Sequence, residues 1–308
     1  MHICFACDKN YLHYLYITIS SILHSAKSSD NHNFYILQSD FTDYEKDIIN
    51  KLQNIKKFNI EYLHVDESKL EGCRKEGYHI PIQTFYRYLI ADLKPELDKI
   101  IYLDVDVEVV GSLNEMWNID IEGYYLGAAL DTIVYKDKEH KEKIGINSDS
   151  DYFNAGVLIL NLEEFRKNNL MKILVKSSID NQNKFSFGDQ DALNVTSVNK
   201  FKVIDRKYNF RATLLRDIYT TEDLKGIENS IIKHYVGKDK KFFNLFHYLT
   251  GYPILLKVEA AYKYKKSLFK FKYINIKHYT LNFLKNIPVL GDGLICLKKA
   301  IKKCLKRK

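Results

Sequence analysis

The alternation of predicted strands and helices over the first hundred residues constrains the fold more than any other feature of this sequence. Four apolar runs have the length of buried strands: His2–Ala6, Asn33–Leu37, Ile60–Val65 and Lys99–Leu103. Segments with apolar residues at helical spacing lie between them, at Tyr11–Ala26, Thr42–Lys56 and Thr84–Leu93. Such β-α-β units form a mainly parallel sheet, so the sequence predicts an α/β fold.

Further elements are predicted downstream. The strands are Tyr125–Leu130, Ala155–Leu160 and Ser230–Tyr235, and the helices are Glu163–Lys167, Leu170–Asp180 and Gln190–Val195. Open α/β sheets bind ligands beyond the carboxyl ends of their strands. Polar residues that follow an apolar strand are therefore the first candidates for a functional site.

Two carboxylates follow the fourth apolar strand, at Asp104 and Asp106. In an extended chain, side chains two residues apart point to the same face, so both could share one divalent cation. On spacing alone, a solvated strand end is the simpler interpretation. His234 ends another apolar strand, although a lone histidine there is more often a core or surface residue. Together, two carboxylates and an imidazole suit Mn²⁺ better than Ca²⁺.

Other polar residues lie where the strand-helix pattern does not require them. Asn154 precedes an apolar strand, and Asp189 and Gln190 begin a predicted helix. A helix cap explains Asp189 but neither Gln190 nor Asn154. Because the chain contains no Gly-x-Gly-x-x-Gly and no P-loop motif, the common dinucleotide and P-loop interpretations lose their main support. Phosphates would instead be held by a metal and side chains, with Gly237 allowing close backbone approach and Lys240 supplying positive charge.

Taken in order, these segments resemble the retaining glycosyltransferases of family 8, which include bacterial lipopolysaccharide galactosyl- and glucosyltransferases and, more distantly, glycogenin. The similarity runs from Ile3 to about Lys240. Five segments carry it, namely Ala6–Tyr11, Asp104–Asp106, Phe153–Val157, Asp189–Asp191 and His234–Lys240. The resemblance implies a GT-A-type, Rossmann-like single domain that transfers galactose or glucose from a UDP-sugar to a hydroxyl of a glycan acceptor, such as lipopolysaccharide. A non-catalytic nucleotide-sugar- or carbohydrate-binding protein on the same scaffold is the alternative.

The resemblance also implies a role for each matching residue. The metal ligands, for Mn²⁺ or Mg²⁺, would be Asp104, Asp106 and His234. The nucleotide and donor contacts would be Ala6, Asp8, Asn10, Tyr11, Arg87, Val105, Asp131, Asn154, Gly237 and Lys240. Gln190 would face the anomeric carbon, with Asp189 as the fallback nucleophile. Many relatives have Pro-Trp after the last lysine, whereas Lys241 and Phe242 follow here, so the acceptor side is expected to differ.

The composition changes near Gly251–Pro253, which separates a predicted catalytic domain (1–250) from a C-terminal extension (251–308). Residues 252–308 contain 15 Lys or Arg against two acids. Four apolar residues of the extension fall on one helical stripe: Leu294, Leu297, Ile301 and Leu305. This pattern predicts a helix that lies on an anionic membrane surface. A solvated basic tail is the alternative, and nucleic-acid binding is disfavoured because the acidic main body carries no matching basic face.

The expected location is the cytoplasm, with peripheral association at the inner face of the cell membrane. No apolar stretch reaches the roughly 18 residues that a membrane-spanning helix needs, and the first strand begins too early for a signal peptide. The Cys4-x-x-Cys7 pair lies in an apolar run, which favours buried structural thiols over a redox pair.

Overall fold

A computed structural model describes residues 1–74, 80–211, 226 and 229–236. Ten strands are assigned in this part of the chain: β1 (His2–Ala6), β2 (Asn33–Gln38), β3 (Asn59–His64), β4 (Lys99–Leu103), β5 (Val107–Val109), β6 (Leu126–Leu130), β7 (Phe153–Asn161), β8 (Phe201–Val203), β9 (Phe210–Arg211) and β10 (Ile232–His234). The α-helices are α1 (Leu12–Ser25), α2 (Asp43–Asn50), α3 (Ile90–Leu93), α4 (Asn114–Trp117), α5 (Lys138–Lys143), α6 (Leu162–Lys167), α7 (Leu170–Asp180) and α8 (Asp189–Thr196). Short 3₁₀ helices occupy Lys9–Tyr11, Lys51–Asn54, Glu67–Leu70, Ile82–Leu89, Val134–Lys136 and Arg206–Tyr208.

A seven-stranded sheet forms the centre, in the order β3-β2-β1-β4-β7-β6-β8. Strands β3, β2, β1 and β4 run parallel, β6 and β8 are also parallel, and β7 is antiparallel to both of its neighbours. The predicted α/β fold with a mainly parallel sheet is thus confirmed. The seven predicted strands differ from the observed bounds by at most two residues, and β1 and β4 match at both ends, whereas β5, β8 and β9 were not predicted.

Both faces of the sheet are buried at its central strands β2, β1, β4, β7 and β6, which explains why these strands read as nearly continuous apolar runs. Ile3 and Phe5 of β1 pack in one core together with α1 and α2, while Cys4 and Ala6 pack in the other core with α3, α6 and α7. The thiols of Cys4 and Cys7 are buried and form no disulfide, and burial raises the pKa of each well above its usual range. They are structural residues.

The antiparallel strand β7 shapes the functional edge of the sheet. Because β7 runs opposite to β4, its first residues lie beside the carboxyl end of β4, where Leu103 pairs with Val157 and the Asp104 amide donates to Gly156 O at 2.8 Å. Asn154, close in space to Asp104, is 50 residues away in sequence. A second sheet, β5-β10-β9, closes over the same edge, with His234 paired to Val107.

Two sequence interpretations differ from the structure. Asp104–Asp106 is not an extended strand end but a turn between β4 and β5, so the carboxylates do not converge through strand alternation. The predicted helix Thr84–Leu93 is a 3₁₀ helix over Ile82–Leu89 followed by the single turn of α3.

The extension 251–308 lies outside the described residues. Within the described part, no helix is both long and apolar enough to cross a membrane.

Candidate active site

Asp104, Asp106 and His234 form the chemical centre of the site. His234 Nε2 lies 3.4 Å from Asp106 Oδ1 and 3.8 Å from Asp104 Oδ2, and one ligand atom from each residue lies within 4.8 Å of the others. Ligand atoms at about 2.1 Å from one cation lie about 3 to 4 Å apart, so this spacing fits a small divalent metal. The Asp106 and His234 side chains are buried, whereas Asp104 is partly open. The cluster can hold a metal with coordination positions left for a ligand.

The turn that carries the two carboxylates is held by neighbouring elements. Thr18 of α1 is fully buried, and its hydroxyl lies 2.7 Å from Val105 O and 2.9 Å from Val107 O. On the other side, Tyr235 N donates to Asp106 O at 3.0 Å. Strand β10 is therefore fixed against the turn directly beside its own His234. The donor contact predicted at Val105 is buried here, and its carbonyl is bonded to Thr18.

Gly156 supplies the space in which the cluster forms. A Cβ atom at this position would lie 2.1 Å from His234 Cε1 and 2.8 Å from Asp104 Oδ2. No side chain can occupy that volume while the imidazole stays in place. The close approach explains why this position in the Phe-Asn-Ala-Gly-Val segment is glycine, and it shows that His234 and Asp104 are packed closely against this strand.

Arg87 is buried and lies against Asp104 of the cluster. Its Nη2 donates to Asp104 Oδ1 at 2.9 Å, its Nη1 donates to Ala155 O, and its guanidinium stacks 4.3 Å from the Tyr102 ring centroid. Tyr102 also donates to Asp104 Oδ1, at 3.1 Å. These bonds use one carboxylate oxygen of Asp104 and leave Oδ2 facing His234. Arg87, which the resemblance predicts as a donor contact, thus orients the candidate metal ligand Asp104.

Asp189 is buried behind Arg87, with 3% of its surface exposed. Arg87 Nε lies 3.2 Å from Asp189 Oδ2, but the single Nε proton is donated to Thr84 O at 2.9 Å. Burial raises the pKa of the Asp189 carboxyl to about 7, because it outweighs the opposing charge of Arg87 and is reinforced by Asp104. Asp189 is therefore enclosed by protein and paired with Arg87, and is not exposed as an attacking group would be.

This raised pKa predicts a pH-dependent effect of Asp189→Asn on stability. The folded chain keeps the proton up to about pH 7, whereas the unfolded chain loses it near 3.8, so the free energy of unfolding falls as pH rises between these values. We expect the Asn variant to gain stability relative to wild type between pH 5 and pH 7.5 in urea denaturation. The exposed Asp92→Asn serves as the control. An Asp189→Asn difference that is the same at both pH values contradicts the assignment.

Asp131, Asn154 and Gln190 form a second polar cluster beside the candidate metal ligands. Asp131 Oδ2 accepts from Asn154 Nδ2 at 3.1 Å and from Gln190 Nε2 at 3.4 Å. Gln190 Oε1 accepts from Asn154 Nδ2 at 3.1 Å and from Ala155 N at 3.0 Å, which fixes the orientation of the Gln190 amide. The structure thus brings together three residues that are far apart in the sequence. Their carboxylate and amide groups are suited to hydrogen-bond hydroxyls.

Asp191 belongs to a segment that carries the resemblance but was given no role from the sequence, and it organises the start of α8. Its side chain is fully buried and accepts from the Ser186 and Phe187 amides and from the Tyr152 hydroxyl, at 2.7, 2.8 and 2.6 Å. It also lies 2.8 Å from His140 Nε2. Burial and the Asp191 charge raise the pKa of Tyr152 well above its usual range, so Tyr152 stays a donor. Gln190 Nε2 donates in turn to the Tyr152 hydroxyl at 3.3 Å.

We expect Asp191→Ala to lower the free energy of unfolding by about 3 kcal/mol, because several buried donors lose one shared acceptor. Chemical denaturation monitored by circular dichroism measures this loss. Asp151→Ala, an exposed position near the same segment, is the matched control and should stay within about 0.5 kcal/mol of wild type. Equal midpoints for both variants would contradict the role of Asp191.

The predicted nucleotide contacts lie at the end of β1. Ala6 ends the strand, and Asp8 caps the 3₁₀ helix by accepting from Asn10 N at 2.9 Å and Tyr11 N at 3.2 Å. Asp8 Oδ2 also accepts from the Asn10 side chain at 3.2 Å. The cap explains the local conformation and leaves Asp8 half-buried and Asn10 exposed, at the same sheet edge as Asp104, Asp106 and His234. The phosphate contacts predicted at Gly237 and Lys240 lie outside the described residues.

Comparisons with known proteins agree with this geometry. The model of the family described as Glycosyl transferase family 8 matches residues 2–244. A putative glycosyltransferase of Haemophilus influenzae is 34% identical over 242 residues, which is 78% of this chain and 72% of that protein. A lipopolysaccharide 1,2-glucosyltransferase of Escherichia coli is 26% identical over 260 residues, covering 81% and 75% of the two chains.

A solved structure of a related sequence has the same fold. The crystal structure of galactosyltransferase LgtC, in complex with donor and acceptor sugar analogues, superposes with a TM-score of 0.68 at 27% identity. The match covers 79% of this chain and 89% of that one. With a family model that spans most of the chain and a relative above 30% identity, the chain belongs to glycosyl transferase family 8 and is a glycosyltransferase.

Proposed function

We propose that this glycosyltransferase moves glucose or galactose from a UDP-sugar to a hydroxyl of a cell-surface glycan, such as lipopolysaccharide, and retains the anomeric configuration. The observation that carries the proposal is that two clusters of different chemistry lie side by side and are joined through the Asn209 amide. Asp104, Asp106 and His234 suit a cation, and the adjoining Asp131, Asn154 and Gln190 suit sugar hydroxyls. A donor with a diphosphate next to a hexose needs both.

The residues that would hold the cation are Asp104, Asp106 and His234, and the mixed oxygen and nitrogen set favours Mn²⁺, with Mg²⁺ as the second choice. Such an ion supplies Lewis-acid stabilisation of the negative charge on the UDP leaving group. Arg87 would keep Asp104 turned toward the ion. Lys240 and Gly237 are proposed as further diphosphate contacts, and the β1 end, with Ala6, Asp8, Asn10 and Tyr11, as the uridine side.

For the transfer we propose same-face attack. The acceptor oxygen forms the new bond to the anomeric carbon as the bond to UDP breaks, and the acceptor proton passes to the departing phosphate oxygen. Gln190 presents a neutral amide whose oxygen already accepts two hydrogen bonds, so it would orient the sugar and not attack it. The burial of Asp189 behind Arg87 disfavours a double displacement through that carboxylate.

The substrate class draws on what the relatives are named for. The Escherichia coli relative is a lipopolysaccharide 1,2-glucosyltransferase, and LgtC is a galactosyltransferase that binds donor and acceptor sugar analogues. Glucose and galactose differ at one hydroxyl, and both offer similar groups to Asp131, Asn154 and Gln190. A hexose of either kind, carried by UDP, is consistent with the cluster.

A donor screen tests the proposal. UDP release is measured with UDP-glucose, UDP-galactose, UDP-N-acetylglucosamine and UDP-glucuronic acid, each with Mn²⁺ and with EDTA. We expect the first two to give the highest rates and EDTA to abolish them. Tight UDP binding without turnover of any donor, in the presence of glycan acceptors, would instead favour a non-catalytic binding protein.

We also propose that residues 1–250 form the catalytic domain and that residues 251–308 hold it at the cytoplasmic face of the membrane. The support is the sequence pattern of the extension, with 15 basic residues after position 251 and an apolar helical stripe. Sedimentation with vesicles should show binding to anionic lipid that is weakened by salt and lost after truncation at residue 251. Equal binding to neutral vesicles, or none to anionic ones, would overturn the anchor.

A further inference from the structure

Asn209 connects the two clusters, although nothing in its sequence context pointed to the site. It lies between the 3₁₀ helix Arg206–Tyr208 and strand β9, and 5% of its surface is exposed. Its side-chain amide contacts a metal-ligand candidate on one side and a sugar-contact candidate on the other. His234 Nδ1 is 2.9 Å from Asn209 Oδ1, and Asn209 Nδ2 is 2.9 Å from Asn154 Oδ1.

The donor and acceptor roles in this chain follow from one backbone group. Gly156 N–H can only donate, and it donates to Asn154 at 3.0 Å, so the atom of Asn154 that it meets is the oxygen. The Asn209 atom facing the same oxygen must then be the NH₂ group, which turns the Asn209 carbonyl toward His234. A carbonyl accepts only, and therefore His234 Nδ1 carries a proton.

This arrangement leaves the other imidazole nitrogen, Nε2, free to bind a cation. In neutral histidine with Nδ1 protonated, Nε2 has the free lone pair, and Nε2 is the atom that faces Asp104 and Asp106 at 3.8 and 3.4 Å. Ring nitrogens that bind metals are commonly fixed in this way by a hydrogen bond at the other nitrogen. Asn209 supplies that bond from a buried and packed position.

The same amide also restrains the sugar side. Because Asn154 Oδ1 is held by Gly156 N and Asn209 Nδ2, its own NH₂ group is directed to Asp131 Oδ2 and Gln190 Oε1, each at 3.1 Å. A substitution at Asn209 would thus affect both neighbouring clusters. One path reaches a cation ligand, and the other reaches the side chains proposed to bind the hexose.

We infer that Asn209 is a positioning residue that sets the tautomer of His234 for the cation and the amide orientation of Asn154 for the donor sugar. The inference rests on the proposed metal-dependent function for its consequence in catalysis. The tautomer itself is a property of the metal-free chain. The two parts can be separated because one variant can break a single bond while another breaks both.

Two substitutions separate the two bonds. Asn209→Asp keeps an acceptor for His234 Nδ1 but cannot donate to Asn154 Oδ1, whereas Asn209→Leu has a similar size and makes neither bond. Asn147→Asp is the matched control, since Asn147 is exposed and accepts from Asp149 N through its oxygen, as aspartate also can. Circular dichroism checks that all three variants fold.

The first readout is the ¹⁵N spectrum of His-labelled, metal-free protein, in which the His234 signals are assigned by their loss in His234→Gln. We expect the Nδ1-protonated tautomer in wild type and in Asn209→Asp, and its loss in Asn209→Leu. The second readout is Mn²⁺ binding in the presence of UDP, followed by electron paramagnetic resonance. Asn209→Leu should bind about 10- to 100-fold more weakly than wild type, and Asn209→Asp at least as tightly as wild type.

The third readout is turnover at saturating Mn²⁺ and UDP-sugar. Here Asn209→Asp should lose about 10-fold or more in kcat despite its intact metal binding, a split that general loosening of the structure would not produce. Wild-type tautomer and metal affinity in Asn209→Leu, or wild-type kcat in Asn209→Asp, would overturn the inference. Wild-type protein that binds no Mn²⁺ with UDP would overturn the proposed function instead, and the tautomer measurement would still decide the role of Asn209.

Discussion

Replacing Asp106 with Asn is expected to lower the rate of metal-dependent sugar transfer by about 1,000-fold while the chain stays folded. The Asn side chain keeps the shape of the carboxylate but removes a charge from the cation cluster. Metal stabilisation of a leaving group contributes several kcal/mol, and about 4 kcal/mol corresponds to this factor in rate. The main-chain bond from Tyr235 N to Asp106 O does not involve the side chain, so β10 should remain in place.

UDP release from UDP-glucose and UDP-galactose in the presence of Mn²⁺ measures this effect. Asp92→Asn makes the same chemical change at an exposed position of α3 and should keep wild-type activity. The thermal transitions of both variants should stay close to that of wild type. Activity of Asp106→Asn within about threefold of wild type would mean that Asp106 is not a ligand for a catalytic metal.

Gly156→Ala is expected to reduce both Mn²⁺ affinity and turnover by at least about 100-fold. A methyl group here would lie 2.1 Å from His234 Cε1, so the imidazole must leave its position between the carboxylates. Displacing a ligand costs more than losing an outer hydrogen bond to one, which typically costs 10- to 100-fold in metal affinity. The substitution adds only a methyl group and leaves the charge of the site unchanged, so the expected loss would be purely steric.

Gly111→Ala is the matched control for this variant. Its new methyl group would meet only the end of the Ile231 side chain, at 2.8 Å, and that side chain can change rotamer. We expect Gly111→Ala to keep both Mn²⁺ affinity and turnover. If Gly156→Ala bound Mn²⁺ as wild type does and turned over normally, His234 would not be held against Gly156 in the active protein.

The alternation of strands and helices was readable from the sequence because each buried strand is an uninterrupted apolar run. The positions of Asp104 and His234 at strand ends were also readable, and they pointed to the edge of the sheet where the structure brings these side chains together. The way in which they meet was not. The carboxylates lie on a turn, and the imidazole reaches them through the pairing of β10 with β5, a contact between segments more than 100 residues apart.

The residues that support the site left little signal in the sequence. Asn209 follows a short polar stretch, and Thr18 lies inside a helix where a hydroxyl needs no explanation. Their roles depend on which atom faces which neighbour, and this follows from tertiary packing alone. Arg87 carried a stronger signal, but a basic residue in a helix does not reveal that its guanidinium is turned under Asp104.

The central claim is that Asp104, Asp106 and His234 bind a divalent cation that in turn holds the donor diphosphate. Calorimetric titration of the full chain with UDP, first with Mn²⁺ and then with EDTA, tests it most directly. The account predicts binding with Mn²⁺ and a loss of at least about 100-fold in affinity with EDTA, with Asp106→Asn behaving in Mn²⁺ as wild type does in EDTA. The same UDP affinity in both conditions would contradict it.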